Sequence, residues 1–545
     1  MAATRCNVLL VYPRFDLTSF WSLTTTCRIA GKRRMEPPLG LITVAAMLPK
    51  EWSVRLIDRN AEEVGESDLA WADMVMTGGM IPQRADTLRL IELGQSRGKP
   101  VVVGGPDITS SPDAYSHADF RMPGEVEATM AAFIESWNAG ERRGLFEAEK
   151  FTVDVTRSPP PRFDLLKLDH YLALSVQFSR GCPFICEFCD IIELYGRVPR
   201  AKTVEQLLGE LESLYRLGYR GHVDFVDDNL IGNKKAVKQF LPHLCAWQKA
   251  HGYPFTFSTQ ASINLADDDV LLHLMRDANF GAVFIGIESP NEDALLSTQK
   301  KQNMRRNLVD CVHKVYRAGM FVTAGFVVGF DDERERIADE MVSCIETAGL
   351  PICMVGLLTA LPQTQLSRRL EREGRLNPEV DFSFVSSADG GDQCTEGLNF
   401  RTARARRDVL GDYRSILERV NRPAAFFGRI RAVARLLVPA RINASVPWRV
   451  VLNDAATVVR LLWFLAARRP ELLSGFLATI AECAIRNPRA LKQVVSLFLL
   501  YLHVGPFSKE VIASLNRQIG SIDAGLARRH EPPAAIGQAP VRSGL

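Results

Sequence analysis

The chain has 545 residues, of which 47% are apolar and 24% are charged, as in ordinary soluble globular proteins. This length indicates two or three domains. The 11 cysteines are odd in number and mostly scattered, which argues against a disulfide framework and favours a reducing, cytoplasmic setting.

The net charge of +3 conceals an uneven distribution. Residues 401–545 carry 23 Lys and Arg against 9 Asp and Glu, a balance of +14, whereas the other 400 residues carry 43 against 54, a balance of −11. A basic segment of this kind suggests an anionic partner, either nucleic acid or the anionic lipid of a membrane.

Apolar strands alternate with helices over residues 1–150. Strands are predicted over 7–12, 53–57, 73–77, 100–103 and 118–121, and helices over 39–48, 84–96 and 124–137. Glycine pairs follow two of the strands, at Gly78-Gly79 and Gly104-Gly105. The pattern predicts a doubly wound, Rossmann-like parallel sheet that binds ligands at the carboxyl ends of its strands, although each glycine pair alone could be a tight turn.

A proline-rich linker at 158–162 precedes three cysteines, Cys182, Cys186 and Cys189, in a C-x3-C-x2-C pattern. Thiolates on a tight loop are soft ligands suited to iron–sulfur clusters. Three of them would leave one iron of a four-iron cubane open for a substrate or cofactor. A structural zinc site would need a fourth ligand and usually a second cysteine pair, which the sequence lacks.

Residues 165–372 alternate strand and helix six times. Strands are predicted over 172–178, 222–226, 255–259, 282–287, 321–328 and 352–361, and helices over 204–217, 234–251, 270–277, 305–318 and 333–348. Such an array closes into a full or partial (β/α)6 barrel with its site at the carboxyl ends of the strands. Arg197, Arg200 and Lys202 would pair with the carboxylate of a bound cofactor or with an anionic substrate there, or remain surface charges.

The C-x3-C-x2-C spacing is the signature of the radical S-adenosylmethionine (SAM) enzymes, and the chain resembles that superfamily. The resemblance implies a [4Fe-4S] cluster whose open iron is chelated by the amino and carboxylate groups of SAM. It also implies SAM contacts at strand ends, although an Asp there is by itself usually a helix cap. The residues assigned to SAM are Phe188, Asp228, Asn229, Thr259, Gln260, Glu288 and Gly329.

A doubly wound sheet ahead of a three-cysteine loop resembles the cobalamin-binding domain of the B12-dependent radical SAM enzymes. The resemblance assigns cobalamin contacts to Asp58, Arg59, Asn60, Thr77, Gly78, Gly79, Gly104, Gly105, Pro106, Gly124 and Glu125. Many cobalamin proteins carry D-x-H-x-x-G, whose His ligates cobalt, whereas residues 58–63 read DRNAEE. We therefore expect cobalamin without a His ligand from this loop, or a domain that no longer binds it.

Helical periodicity dominates residues 373–523, which predicts a mostly α-helical third domain. Residues 426–438 form a basic amphipathic helix. The apolar runs 457–467 and 494–504 have 11 residues each, short of the roughly 20 that span a bilayer. These helices would pack on the barrel, lie at a membrane interface, or do both. Residues 524–545, rich in Pro, Gly and Ala, are predicted to be a disordered tail.

The resemblance also implies the reaction. A reductant such as flavodoxin or ferredoxin reduces the cluster, SAM is cleaved, and the resulting radical removes a hydrogen atom from an unreactive carbon, to which methylcobalamin supplies a methyl group. The domain order and the stretches 178–184 and 189–192 resemble the bacterial group that includes the hopanoid C-2 methylases. We therefore expect a cobalamin-dependent radical SAM methyltransferase, with a hopanoid-type polycyclic lipid as the favoured substrate.

Other functions are compatible with the same motifs: a natural-product methylase, a cyclase or oxidase acting on a small molecule, and an RNA methylthiolating enzyme. The last usually holds a second cluster in its N-terminal domain, where this chain has only Cys6 and Cys27. We expect no nucleic-acid partner, and a cytoplasmic enzyme with peripheral contact at the inner membrane face through its basic C-terminal region. No side chain stands out as a catalytic acid or base.

Overall fold

The computed structural model describes residues 5–15, 19–376, 394–395, 397–440 and 448–530. Its N-terminal part contains the strands β1 (Asn7–Tyr12), β2 (Ser53–Asp58), β3 (Met74–Gly78), β4 (Val101–Gly104), β5 (Phe120–Met122) and β6 (Gly144–Leu145). The accompanying helices are α1 (Thr24–Ala30), α2 (Leu39–Met47), α3 (Glu66–Trp71), α4 (Arg84–Ser96), α5 (Pro106–Ser110) and α6 (Met130–Asn138). The strands form one parallel sheet in the order β2-β1-β3-β4-β5-β6.

Apolar side chains on both faces of this sheet explain why helices cover it on both sides. On β1, Val8 and Leu10 enter one buried cluster, and Leu9 and Val11 enter another on the opposite face. The strand order reverses at β1, which opens a crevice at the carboxyl ends of β1 and β3. The predicted doubly wound sheet is confirmed, and β6 adds a strand that the sequence pattern did not reveal.

The central part contains β7 (Ala173–Val176), β8 (Ser179–Arg180), β9 (Arg200–Ala201), β10 (Gly221–Phe225), β11 (Phe255–Ala261), β12 (Phe280–Glu288), β13 (Phe321–Val328) and β14 (Cys353–Leu357). Its helices are α7 (Ile191–Leu194), α8 (Val204–Arg216), α9 (Lys234–Ala250), α10 (Asp269–Asp277), α11 (Glu292–Ser297), α12 (Leu308–Arg317), α13 (Ile337–Ala348) and α14 (Gln365–Arg372). Six strands pair in parallel in the order β7-β10-β11-β12-β13-β14. Because β7 and β14 lie at opposite edges, the sheet is a half-barrel with one open side, as predicted.

Alternation along the barrel strands separates a packed outer face from a polar inner face. On β10, Val223 and Phe225 are fully buried, whereas His222 and Asp224 alternate with them and are only partly buried. His222 contacts Ser258 across the strand pair. The inner face of the half-barrel is therefore a lumen lined partly by polar side chains.

The N-terminal sheet presents the carboxyl ends of its strands to the open side of the half-barrel. Arg180, in β8, donates to Glu125 Oε1 at 2.9 Å, and Gln363, just before α14, donates to the carbonyl of Ser110 at 2.8 Å. The carboxyl ends of the two sheets thus face a common space.

Residues 33–36 form a strap along the barrel edge. The amide of Leu172 donates to the Arg34 carbonyl at 2.9 Å, and that of Ala173 to the Met35 carbonyl at 2.8 Å. Ahead of the strap, Phe20 and Ile29 belong to the buried cluster of the barrel. The start of the chain therefore completes the central domain.

The C-terminal helices are α15 (Arg406–Val420), α16 (Pro423–Leu436), α17 (Trp448–Arg468), α18 (Pro470–Arg486) and α19 (Leu491–His530). The predicted basic amphipathic helix is α16, and its apolar face is covered, since Phe426 stacks on Tyr501 with ring centroids 3.8 Å apart. Even Arg429 is buried and donates to the Val420 carbonyl at 2.6 Å. Packing within the helical domain, rather than at a membrane, accounts for this helix.

Helices α17 and α19 are longer than their apolar runs suggested. The windows 450–468 and 488–525 are long and apolar enough to cross a bilayer by length and composition alone, so the prediction that these segments are too short is wrong. Only 11% of the first window is buried within the protein, against 56% of the second. In addition, α19 continues to His530, so residues 524–530 of the predicted tail are helical, and 531–545 lie outside the described residues.

Candidate functional site

Asp227 fixes the loop that carries the three cysteines. Its buried carboxylate accepts hydrogen bonds from the amide of Phe178 at 2.9 Å and from the hydroxyl of Ser179 at 2.6 Å. Gly181 has φ +95°, and a Cβ there would lie 2.8 Å from the Gly196 carbonyl oxygen. One buried acid and one glycine therefore set the turn into the first cysteine.

The three cysteine thiols lie within electrostatic reach of one another. Burial raises the pKa of Cys182 and raises that of Cys189 strongly, and neighbouring negative groups, the other thiols among them, add to both shifts. Gln302 Nε2 donates to Cys186 Sγ at 3.4 Å, and Asn229 Nδ2 donates to Cys182 Sγ at 3.8 Å. Burial thus favours the thiol form until a metal displaces the protons.

This donor set suits an iron–sulfur cluster better than a single ion. Among the described residues, no three or more His, Cys, Asp or Glu side chains converge as ligands of one metal ion. Zinc draws four ligands to one point, whereas a cubane spreads its thiolates over separate irons. Hydrogen bonds to sulfur, such as those from Gln302 and Asn229, tune the potential of such clusters.

Lys300 is a largely buried cation beside the cysteines, and the sequence did not single it out. Its Nζ donates to Glu288 Oε1 at 2.7 Å and lies 5.9 Å from the ring centroid of Phe188. Burial opposes its charge, but Glu288 and the thiols of Cys186 and Cys189 outweigh burial and raise its pKa. Lys300 therefore brings positive charge to the cluster side of the site.

Two other residues predicted for SAM lie beside the cysteine loop. Glu288 has φ +65°, a strained backbone that is typical of functional sites. Asp228 Oδ2 accepts from the amide of Gly181 at 3.4 Å. Burial, and then the charges of Asp227 and Asp190, raise the pKa of Asp228 to about 7. Phe188, Asp228, Asn229 and Glu288 are thus grouped around the cysteines.

The remaining three residues predicted for SAM are placed differently. Thr259 is buried and donates to the Phe225 carbonyl at 3.1 Å, while the next residue, Gln260, is exposed at the end of β11. At Gly329, φ is +112° and a Cβ would lie 2.6 Å from Leu398 Cδ2. Sheet bonding and packing account for Thr259 and Gly329, and their contacts to SAM stay predictions.

The carboxyl edge of the N-terminal sheet carries a polar group that a ligand could satisfy. Thr77 is buried, and its hydroxyl has no hydrogen-bond partner in the described part of the chain. Such an orphaned group is satisfied when a ligand binds. A Cβ at Gly78 would lie 2.2 Å from the Gly104 carbonyl oxygen, and Gly105 has φ +98°. This glycine cradle, which leads through Pro106 into α5, fits a bulky group lying against backbone.

The Asp58 loop is ordered by its own side chains. Asp58 is buried, which raises its pKa, and it accepts from the Asn60 amide at 2.9 Å and from the Tyr171 hydroxyl at 3.2 Å. Arg59 pairs with Asp86 at 3.2 Å. These bonds hold the predicted cobalamin loop against the barrel strand β7.

Glu125 joins the N-terminal domain to the barrel. Its two carboxylate oxygens pair with Arg180 at 2.9 Å and with Arg200 at 2.8 Å. Gly124, beside it, has φ +89° and packs on Ala148. Arg200 is thus an interdomain link, and neither of the two roles weighed for it from the sequence applies. Lys202 likewise is internal, paired with the buried carboxylate of Glu210.

A polar network that the sequence did not reveal lines one wall of the lumen. The Ser175 hydroxyl donates to Glu36 Oε2 at 2.8 Å, and the Ser258 hydroxyl donates to Asp224 Oδ1. His222 continues the network, with Nε2 lying 2.7 Å from Ser258 Oγ. Glu36 comes from the strap and the others from β7, β10 and β11, so only the fold brings them together.

The two carboxyl groups of this network share one low-polarity space. Burial, and then the charge of Asp224, raise the pKa of Glu36 to about 8, and burial raises that of Asp224. Burial lowers the pKa of His222 to about 4, so it is neutral at pH 7. In the described residues neither carboxyl forms an ion pair. The network therefore holds protons at neutral pH and presents hydrogen-bonding groups.

The next strand of the half-barrel, β12, continues the lumen with an apolar wall. Trp21 lies with its ring centroid 5.6 Å from that of Phe284, whose position on β12 faces inward. A Cβ on neighbouring Gly325 would lie 2.9 Å from the Phe284 ring, so the missing side chain makes room for that ring. The lumen is thus amphipathic, with carboxyl and hydroxyl groups on one side and aromatic rings on the other.

Comparisons with known proteins agree with this arrangement. The radical SAM superfamily model matches residues 176–344, and a family described as "Domain of unknown function (DUF4070)" matches residues 364–517. An uncharacterized methyltransferase of Synechocystis sp. is 46% identical over 409 residues, which cover 75% of this chain and 74% of that protein.

The hopanoid C-2 methylase of Rhodopseudomonas palustris is 38% identical over 395 residues, which cover 71% of this chain and 75% of that protein. Among solved structures, the cobalamin-dependent SAM radical enzyme OxsB, with aqua-cobalamin and SAM bound, matches 97% of this chain and 82% of its own, with a TM-score of 0.58 and 16% identity. At that identity the likeness concerns the fold. The resemblance drawn from cysteine spacing and domain order is confirmed.

Proposed function

Because this chain belongs to the cobalamin-dependent radical SAM methyltransferases, we propose that it methylates an unactivated carbon of a hopanoid-type polycyclic lipid. The family uses a [4Fe-4S] cluster, SAM and cobalamin, which when bound supply a radical that removes hydrogen and a methyl group that replaces it. The reaction class follows from the family, and only the substrate class goes beyond it.

The observation that carries the proposal is the amphipathic lumen beside the cysteines. A rigid polycyclic lipid needs an apolar wall, which Phe284 and Trp21 provide. The polar end of such a lipid needs hydrogen-bonding groups, which the polar wall of the lumen provides. The 38% identical hopanoid C-2 methylase supports the same substrate class.

Each group has residues suited to hold it. Cys182, Cys186 and Cys189 would bind the cluster. Phe188, Asp228, Asn229 and Glu288, with Lys300 as the counter-charge, would surround SAM. The cradle at Gly78, Gly79, Gly104 and Gly105, with the Thr77 hydroxyl, would hold cobalamin against the open side of the barrel.

The polar wall favours a second candidate, a natural-product methylase whose substrate is a smaller polar molecule. Glu36 and Asp224 would then bind a hydroxyl or amine of that substrate. We further infer that the enzyme is cytoplasmic, takes electrons from a flavodoxin- or ferredoxin-type reductant and touches the membrane through its C-terminal region.

The test is anaerobic reconstitution with iron, sulfide and hydroxocobalamin, followed by SAM, reductant and a bacterial lipid extract. We expect deoxyadenosine, S-adenosylhomocysteine and lipids heavier by one methyl group in the same sample, and neither deoxyadenosine nor methylated lipid with Cys186→Ala. Deoxyadenosine without S-adenosylhomocysteine would contradict methyl transfer. Methylation of a soluble extract alone would select the second candidate.

A further inference from the structure

Helix α17 carries a long apolar face that is largely exposed. The side chains on this face are exposed by 67%, 53%, 56%, 66% and 66% at Trp448, Val451, Leu452, Val459 and Trp463. Their spacing places them on one side of the helix. At 1.5 Å per residue, Trp448 and Trp463 lie roughly 22 Å apart along the axis.

The other side of α17 is anchored to the protein. Leu461 and Leu465 are fully buried, and Arg460 Nε donates to the Ile29 carbonyl in α1 at 2.7 Å. The helix is therefore held in place by α1 and α18 while its exposed face points away from them.

We propose that α17 lies flat in the interface of an anionic phospholipid bilayer and admits the lipid substrate to the barrel from there. The inference rests on the proposed function for the identity of the substrate, but the membrane contact stands on its own observations. Tryptophans at both ends of an apolar helix are typical of membrane interfaces, where one edge of the ring is apolar and the other is wet.

The charges around α17 favour this position over two others. Arg468, in the last turn of α17, and Arg489, in the turn between α18 and α19, are exposed and form no ion pair within the described residues, so they can meet anionic headgroups. Asp454 and Arg460 lie in the middle of the helix, where a spanning segment would carry them into hydrocarbon. Self-association through this face would leave the arginines against the net positive charge of a second C-terminal region.

Helix α1 connects the anchored side of α17 to the aromatic wall of the lumen. α17 packs on α1, and the turn before α1 carries Trp21, which is 47% exposed and contacts Phe284. A lipid that leaves the bilayer beside α17 therefore meets Trp21 before it meets the aromatic wall of the barrel.

The test is flotation of the full chain with phosphatidylcholine vesicles, with and without phosphatidylglycerol. We expect binding that strengthens with phosphatidylglycerol and weakens with salt. Leu452→Glu combined with Val459→Glu should reduce vesicle binding about tenfold or more, since two charges would enter the apolar interface. The matched control is Val270→Glu, which alters a 61% exposed side chain on the barrel helix α10 and should bind like the wild type.

Three results would overturn the proposal. The first is equal vesicle binding by the double variant and the wild type. The second is resistance of the bound protein to alkaline carbonate extraction, as expected of a spanning helix. The third is a wild-type dimer in solution that is monomeric in the double variant. Circular dichroism checks that the double variant folds. Quenching of tryptophan fluorescence by bromine-labelled lipid chains provides a second readout on the unaltered protein.

Failure of the proposed function gives a different pattern. If wild-type protein floats with vesicles but methylates no lipid, the membrane surface stands and the substrate assignment fails. A different result is a double variant that methylates detergent-dispersed lipid as fast as the wild type does, but vesicle lipid at least about tenfold more slowly. That result would support both the membrane surface and the substrate assignment.

Discussion

The described part of the molecule contains two parallel six-stranded sheets. Each has one packed face, and they differ in whether the second face is also packed or lines an open space. In the N-terminal sheet both faces are apolar and covered, so only the strand ends are free for a ligand, as at Thr77 and Gly105. In the barrel sheet the outer face is packed and the inner face carries His222, Asp224 and Ser258. The first sheet can therefore hold a cofactor at one edge, whereas the second can also enclose a substrate.

The largest effect is expected from Asp224→Asn, which alters only the inner face of the barrel sheet. If the substrate binds there, losing a charge-assisted hydrogen bond should lower kcat/KM for methylation about 10- to 100-fold. Deoxyadenosine formed without substrate should be unchanged, because the cysteines are not touched. Asp277→Asn, at the exposed end of α10, is the control. Unchanged methylation in Asp224→Asn would assign the network to stability alone.

Glu36→Gln tests the electrostatics of the same face. The pKa of Glu36 is raised from an ordinary value of 4.5 to about 8, so the folded state holds the proton more tightly than the unfolded chain. Wild-type stability should therefore fall as pH rises from about 4.5 to 8, by something on the order of 2 kcal/mol, and the variant should show a smaller loss, since burial still raises the pKa of Asp224.

Urea unfolding of the cofactor-free protein at pH 5 and pH 8 measures this difference. Glu92→Gln, at an exposed site on α4, should show the pH dependence of the wild type. The same slope in Glu36→Gln and wild type would mean that the pair does not hold a proton in the folded state.

At the carboxyl ends of the barrel strands, Lys300→Met removes the cation beside the cysteine thiols. A neighbouring positive charge favours the reduced cluster, so its loss should lower the midpoint potential by about 50 mV, roughly 1 kcal/mol for one electron. A redox titration followed by electron paramagnetic resonance reports the shift. Lys314→Met, on the outer helix α12, should leave the potential unchanged.

The smallest effect is expected at the edge of the N-terminal sheet. Thr77→Val removes the unpartnered hydroxyl, so cobalamin should bind about two- to tenfold more weakly while the cofactor-free protein is no less stable. Equilibrium dialysis with hydroxocobalamin measures the affinity. Thr87→Val removes a buried hydroxyl that is already bonded, to the Gln83 carbonyl at 3.0 Å, and should cost stability without changing cobalamin affinity.

The sequence predicted what is encoded locally. The cysteine loop, both sheets and the strand-end glycines each lie within a short stretch, and their periodicity and spacing are enough to place them. Glu36 and Asp224 are 188 positions apart in the printed sequence and meet only because the strap joins β7. Lys300 lies in a connection after α11 that has no periodic signal, so its position beside Cys186 depends on the fold.

The C-terminal helices show a second limit. Charge and apolar spacing are similar in α16 and α17, yet α16 is buried, Arg429 included, and α17 is exposed. Local sequence fixes which residues share a helix face, but the neighbours of that face are set by distant elements such as Tyr501 and Ile29.

The strap has a consequence for how the chain is made and how it can be cut. Residues 33–36 bond to the start of β7 and cover part of its edge, and an uncovered strand edge is a template for aggregation. The strap precedes the barrel in the chain and finds its partner only when the barrel exists, and α1 also needs α17 and α19. A barrel fragment starting at residue 165 should precipitate when produced alone and stay dispersed when a peptide of residues 19–38 is supplied with it.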